Sequence, residues 1–118
     1  MSSPGTVNSV TLTGEISSKV RLTYVDGETM AEFTLSVAGR QLQKSSYHRI
    51  RFDFDVVAFG KPSYIEATAV RGAKVFLHGQ LRQRKRTIGE KTFQETIIVG
   101  TQLVTLKPPA EKKTKEYE

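Results

Sequence analysis

The chain has no cysteine and no tryptophan, and it carries only two histidines in 118 residues. Without cysteine there can be no disulfide framework and no thiolate metal site, which fits a reducing compartment such as the cytoplasm. His48 and His78 lie far apart in sequence and have no companions at metal-ligand spacing, so no metal centre is expected. No segment approaches the roughly 20 consecutive apolar residues of a membrane-spanning helix. Met1 to Val7 lacks the basic stretch and apolar run of a secretory signal. Catalytic signatures are missing as well: there is no Gly-x-Ser-x-Gly elbow and no Gly-rich phosphate loop ending in Lys-Ser or Lys-Thr. Asp53 and Asp55 would share a strand face and could hold a cation, but pairing with neighbouring arginines is the simpler reading. Neither an enzyme nor a bound cofactor is expected.

What the chain does have is positive charge. Lys and Arg total 18 against 12 Asp and Glu, for a net charge of +6 and a pI near 9.7. Fourteen of those cations and nine of those acids fall within residues 1–106, so the surplus belongs to the patterned part of the chain. This balance favours polyanionic partners, nucleic acid before acidic membrane surfaces, although basicity can also serve solubility alone. The apolar share of 37% is ordinary for a single globular domain of this length.

The apolar periodicity is that of strands. Val10, Leu12, Gly14 and Ile16 alternate, and the pattern continues past a bend at Ser17-Ser18 through Val20, Leu22 and Tyr24. Asp26-Gly27 supplies the positive-φ positions of a tight hairpin turn, and Phe33, Leu35 and Val37 mark the next strand. Ala38 to His48 shows little apolar period and reads as a long exposed loop. Arg49 to Phe59 is a clear strand, with Ile50, Phe52, Phe54, Val56 and Ala58 on one face and Arg49, Arg51, Asp53, Asp55, Val57 and Phe59 on the other. Ser63 with Glu66 suggests a capped short helix over Tyr64 to Val70, stopped by Arg71-Gly72. Lys74 to Arg86 alternates again, a turn falls at Ile88-Gly89-Glu90, and Thr92 to Val99 returns, with Gln102 to Leu106 extending it. From Lys107 the Pro108-Pro109 pair and mixed charge read as a disordered tail. The expected division is a flexible 1–7, a folded 8–106 and a tail 107–118. Three strands, a short helix and two strands is the order of an all-β, five-stranded Greek-key OB-fold barrel with its helix between strands 3 and 4.

Two basic clusters stand out. Arg82, Arg84 and Arg86 alternate onto one face, roughly 6.5–7 Å apart, about one nucleotide step of an extended strand. Guanidinium forks suit phosphate oxygens, although a charged ridge also protects a sheet edge from aggregation. Lys85 and Lys91 thicken that hairpin. The second cluster is Arg40, Lys44, Tyr47, His48, Arg49 and Arg51, in which a ring sits among cations. Such a cluster suits single strands, because bases stack on the ring while cations follow the backbone. Tyr47 either stacks on a base or packs on the barrel. Phe59, on the Arg49 and Arg51 face, is either a stacking platform or a plug for the barrel end.

Several segments, taken together and in order, resemble the bacterial single-stranded DNA-binding proteins. They are Asn8-Ser9-Val10-Thr11-Leu12-Thr13-Gly14, Phe33-Thr34-Leu35-Ser36-Val37, Val56-Val57-Ala58-Phe59-Gly60-Lys61 and, most closely, Arg71-Gly72-Ala73-Lys74-Val75-Phe76-Leu77-His78-Gly79-Gln80-Leu81-Arg82, followed by Val99 to Leu106. The resemblance covers nearly all of residues 8–106. It implies an OB-fold that assembles as a homo-oligomer, a tetramer or dimer, and binds single-stranded DNA without sequence preference. It implies action in replication, recombination or repair, in the cytoplasm at the nucleoid, with replication proteins as further partners and no membrane. It also places Phe59 at a stacking position, and Arg82 and Arg84 on a basic fourth strand. The chain departs from the family pattern where rings are usual, at Asp53 and Arg86. It departs again at its tail, which ends in Tyr117-Glu118 rather than an acidic tip with a terminal Phe. Weaker and more electrostatic binding follows from the first departure, and loss of recruitment through such a tip from the second. The alternative is a module like the primosomal replication protein of this lineage, mainly binding a protein; RNA binding ranks third.

Overall fold

Period-2 patterning produces strands throughout the structure, a computed structural model that describes residues 5–110. In chain order they are β1 (Val10–Ile16), β2 (Arg21–Val25), β3 (Glu28–Gln43), β4 (Ser46–Gly60), the helix α1 (Pro62–Thr68), β5 (Lys74–Ile88) and β6 (Lys91–Lys107). β1 pairs with β5, β5 with β6 and β3 with β4, all antiparallel, while β6 joins β4 in a short parallel ladder, Val56 to Ile98 through Ala58 to Gly100. Antiparallel pairing of Glu15 and Ile16 with Ser36 and Leu35 closes the ring β1-β5-β6-β4-β3. The result is a five-stranded OB-fold barrel with its one short helix between β4 and β5.

The bend expected at Ser17-Ser18 divides one long strand into β1 and β2, both lying against β3. Serine side chains satisfy the ladder through the break. The Thr34 amide donates to Ser18 Oγ at 2.8 Å, and the Ser17 and Ser36 hydroxyls are hydrogen-bonded to each other at 2.9 Å. At the start of β1, Asn8 acts as an extra ladder rung through its side chain: its Nδ2 donates to the Leu81 carbonyl and its Oδ1 accepts from the Leu81 amide, both at 2.8 Å. Gly14 is required where β1 crosses β3, since a side chain there would strike the Ser36 carbonyl.

Two expectations are corrected. Ala38 to His48 is not a loop: β3 and β4 continue in register from Ala38 opposite Arg51 to Gln43 opposite Ser46. The hairpin turns on Lys44-Ser45, whose φ values of 48° and 71° supply the left-handed pair that a two-residue turn needs. The helix also begins earlier and ends earlier than Tyr64 to Val70. Pro62 occupies its first turn, where its fixed φ fits and its missing N–H is no loss. Lys61, not Ser63, is the N-cap residue, and no side chain caps it. Glu66 is not a capping partner but accepts a 2.6 Å hydrogen bond from the Tyr24 hydroxyl. The turns at Asp26-Gly27 and Gly89-Glu90 stand where expected.

The core fills the closed half of the barrel. Ile16, Leu35, Val56, Val75, Leu77 and Ile98 are buried in it, and Ile65 and Ala69 of the α1 region seal one end. Each such side chain contributes about 1.5–3 kcal/mol by burial. Beyond the barrel β3–β4 and β5–β6 run on as two long hairpin arms with almost no buried residue past Val37 and before Val56, or between Gly79 and Ile97. The expected flexible start, at Met1 to Pro4, and most of the expected tail, residues 111–118, lie outside the described residues. Lys107 belongs to β6, opposite Lys74.

Candidate nucleic-acid interface

Register places the basic residues of the two arms. In the β3–β4 arm Arg40 lies directly opposite Arg49 and Leu42 opposite Tyr47, with Arg51 opposite Ala38 and Lys44 in the turn. Alternation puts Arg40, Tyr47, Arg49 and Arg51 on one face. Like charges facing across a ladder are unfavourable, and neither Arg40 nor Arg49 has an ion-pair partner among the described residues. Tyr47 is 67% exposed, so it is not packed on the barrel.

In the β5–β6 arm Arg82 lies opposite Ile97, Arg84 opposite Glu95 and Arg86 opposite Phe93. Arg82 has no ion-pair partner among the described residues. Arg84 and Arg86 do: both point at Glu95 Oε2, Arg84 through Nη2 at 3.0 Å and Arg86 through Nε at 3.1 Å. Between the β5–β6 arm and the β1–β2 bend lies a cleft of about 330 Å³, lined by Lys19, Arg21, Glu32, Asp55, Arg84 and Glu95 among others. Arg21 is held by Glu32 at 2.9 Å. The cleft is therefore a patchwork of nearly balanced charge, in which Arg21, Arg84 and Arg86 are paired while Lys19 has no ion pair among the described residues; the unpaired Arg40, Arg49 and Arg82 lie outside its lining.

The two aspartates divide. Asp53 Oδ1 accepts from Ser36 Oγ at 2.7 Å and lies 3.6 Å from Arg51 Nε, as a paired carboxylate should. Asp55 lines the cleft without an ion pair among the described residues, contrary to the expectation that both would be paired. No group of acidic or histidine side chains among the described residues is arranged to hold a metal ion.

Phe59 is not brought together with the arginines. From Arg51 it is about 27 Å further along β4, at the α1 end of the barrel. There it is 42% exposed and shared by two clefts, one with Tyr64 and Leu103 and the other with Val25 and Met30. Near it, the bond from Tyr24 to Glu66 raises the Tyr24 pKa, with smaller effects from desolvation and the carboxylate charge. Sequence reasoning missed Lys19 and Arg21 as cleft residues, and no motif marks them. It also missed Glu95, for which a signal existed: a turn centred on Gly89-Glu90 sets Glu95 opposite Arg84 by simple register.

The single-strand binding protein family model matches residues 7–105. Among solved structures the fold is similar to a Plasmodium falciparum SSB in complex with ssDNA, with a TM-score of 0.75 at 18% identity, covering 89% of this chain and 99% of that one. It is similar too to a deletion mutant of the single-stranded DNA-binding protein from Thermus aquaticus, with a TM-score of 0.70 at 19% identity, covering 86% and 51%. A small single-stranded DNA-binding protein from Streptomyces coelicolor matches with a TM-score of 0.62 at 15% identity, covering 82% and 92%. No helix among the described residues is long and apolar enough to cross a membrane.

Proposed function

Because the chain belongs to the single-strand binding protein family, we propose that it binds single-stranded DNA without sequence preference, by contact rather than catalysis. The observation that carries this reading is the opposed pair Arg40 and Arg49, with Arg51 and the exposed ring of Tyr47 on the same face. A pair of like charges held together without a counterion is relieved by a phosphate between them. The neighbouring ring offers a stacking surface indifferent to base identity. Arg82, Arg84 and Arg86 extend the path onto the second arm, Lys44 lies at the tip of the first, and Phe59 provides a separate ring at the barrel end.

Action in replication, recombination or repair, at the nucleoid in the cytoplasm, follows from such binding. So does assembly as a homo-oligomer: residues Val10 to Gly14 of β1 are paired on their β5 side, while β1 meets β3 only at Glu15 and Ile16. That leaves a strand edge open to a second copy. The folded unit is taken as residues 8–106.

A second reading, a protein-interaction module with weak nucleic-acid binding, draws on the charge-compensated cleft and on the exposed Tyr24, Phe59 and Tyr64 near α1. Fluorescence anisotropy of labelled oligo-dT against duplex of equal length, at two salt concentrations, separates the two. Strand-selective binding with a log–log salt slope near −0.7 per neutralised phosphate is the expected result. Weak binding indifferent to strandedness would favour the second reading.

A further inference from the structure

The free arginines of the arms and the paired arginines of the cleft present different surfaces to a phosphate. Three guanidinium nitrogens converge on a single oxygen, Glu95 Oε2: Arg84 Nε at 3.0 Å, Arg84 Nη2 at 3.0 Å and Arg86 Nε at 3.1 Å. A fork from one guanidinium and a third donor from the next is also how a phosphate oxygen is held. The Arg84 and Glu95 side chains are only 33% and 27% exposed, so the seat is partly withdrawn from solvent. It opens onto the 330 Å³ cleft, a volume larger than that of a phosphate group.

We propose that Arg84 and Arg86 form a phosphate seat that Glu95 fills in the free protein, making Glu95 an intramolecular competitor that sets the strength and salt dependence of single-stranded DNA binding. This rests on the reading of the arms as a DNA surface. The backbone register holds Glu95 opposite Arg84, so the carboxylate cannot leave the neighbourhood. It can only swing aside when a phosphate takes its place. Arg40, Arg49 and Arg82 accept phosphate with no such exchange. Nor does another acid simply replace Glu95 at the seat: Glu32 is engaged by Arg21, and Asp53 by Ser36 and Arg51. Asp55, also lining the cleft, adds repulsion to an incoming phosphate. Swapping one anion for another at Arg84 and Arg86 releases fewer counterions than filling a bare site. The salt slope is therefore shallower than the number of cations on the face would give.

The test compares wild type, Glu95→Gln, Glu95→Ala and Glu66→Gln. The last removes one negative charge on α1, outside the cleft, where the amide oxygen can still accept from Tyr24. Each protein is checked by thermal melting and titrated with labelled oligo-dT and duplex over a salt series. Both Glu95 variants are expected to bind oligo-dT at least about fivefold tighter, with a slope steeper by up to ~1.4 for two newly available cations. Glu66→Gln is expected to change affinity less than about twofold, the effect of a remote charge screened by salt. If wild type binds and the Glu95 variants are no tighter than Glu66→Gln, the cluster is a structural ion pair and the seat is overturned, while the DNA reading stands. If no protein binds, the DNA reading falls and the seat with it. Binding by the Glu95 variants alone would support the seat in its strongest form, a surface masked by its own carboxylate.

Discussion

The barrel body and the two hairpin arms are built from the same strands, yet they differ in nearly every physical respect except backbone pairing. In the body β5 alternates between buried and half-buried positions, and Leu77 is 0% exposed. Past Gly79 the same strand carries no buried residue, and at its tip Ile88 is 61% exposed. β3 and β4 make the same transition near Val37 and Val56. The β3–β4 ladder runs through both regions without a register shift, and the β5–β6 ladder resumes after an irregularity at His78/Gly79 and pairs to the tip of its arm. Hydrogen bonding therefore does not distinguish body from arm; apolar burial does. The body keeps its shape by packing, whereas the arms are ribbons whose exposed faces are left to charge and rings. A nucleic acid laid across them meets side chains that have no competing duty in the core.

The sharpest way to break the comparison is to remove one apolar side chain from each region. Leu77→Ala is expected to cost about 2–5 kcal/mol of stability by denaturant unfolding. Ile88→Ala at the arm tip should stay within about 0.5 kcal/mol. Comparable losses would mean that the arms carry a core of their own. Next in size is stacking. Tyr47→Ala should leave the unfolding curve unchanged and weaken oligo-dT binding by about 1–3 kcal/mol, and Phe59→Ala should weaken it less because that ring lies at the other end of β4. An equal loss at Phe59 would extend the site over the barrel. A smaller effect is expected for Arg82→Ala, which should make the salt slope shallower by about 0.7, one phosphate contact's worth. An unchanged slope would remove the second arm from the path.

The smallest effect concerns the body's surface. The Tyr24 pKa is raised, so the bond to Glu66 is intact at neutral pH; its stabilisation is fully present below the unfolded tyrosine value near 10. It is lost as pH rises through the higher folded value. Tyr24→Phe should therefore lower the melting temperature slightly at neutral pH and flatten its alkaline decline. A parallel decline in both proteins would show that the bond adds nothing to stability.

Much of this was legible because two of the turns declare themselves. Asp26-Gly27 and Gly89 are residues that tolerate positive φ, and a turn position fixes which residues face each other along a hairpin. That logic reaches as far as Arg84 opposite Glu95. It fails at Lys44-Ser45, where the same left-handed geometry is adopted by residues with no special preference for it. With that turn unmarked, Ala38 to His48 read as a loop, and the opposition of Arg40 and Arg49 stayed hidden. The helix start was misplaced for a related reason. Ser63 and Glu66 have the composition of a capping box, but Pro62 had already begun the helix and Tyr24 had engaged Glu66.

Outside Ala38 to His48, the sequence by itself determined which segments are strands, that one short helix interrupts them and which side chains alternate outward, because a period of two is a property of the extended backbone and needs no partner. Only the tertiary structure decided which strands meet across the ring, as in the parallel contact of β4 with β6 and the crossing of β1 over β3. It alone decided which arginines are free and which are held. Arg40, Arg49 and Arg82 have no acid beside them among the described residues, while Arg84 and Arg86 share one. The strength of a charge's pull on phosphate depends on the distance to its nearest counter-charge, and that distance is set by pairing across strands rather than by spacing along one.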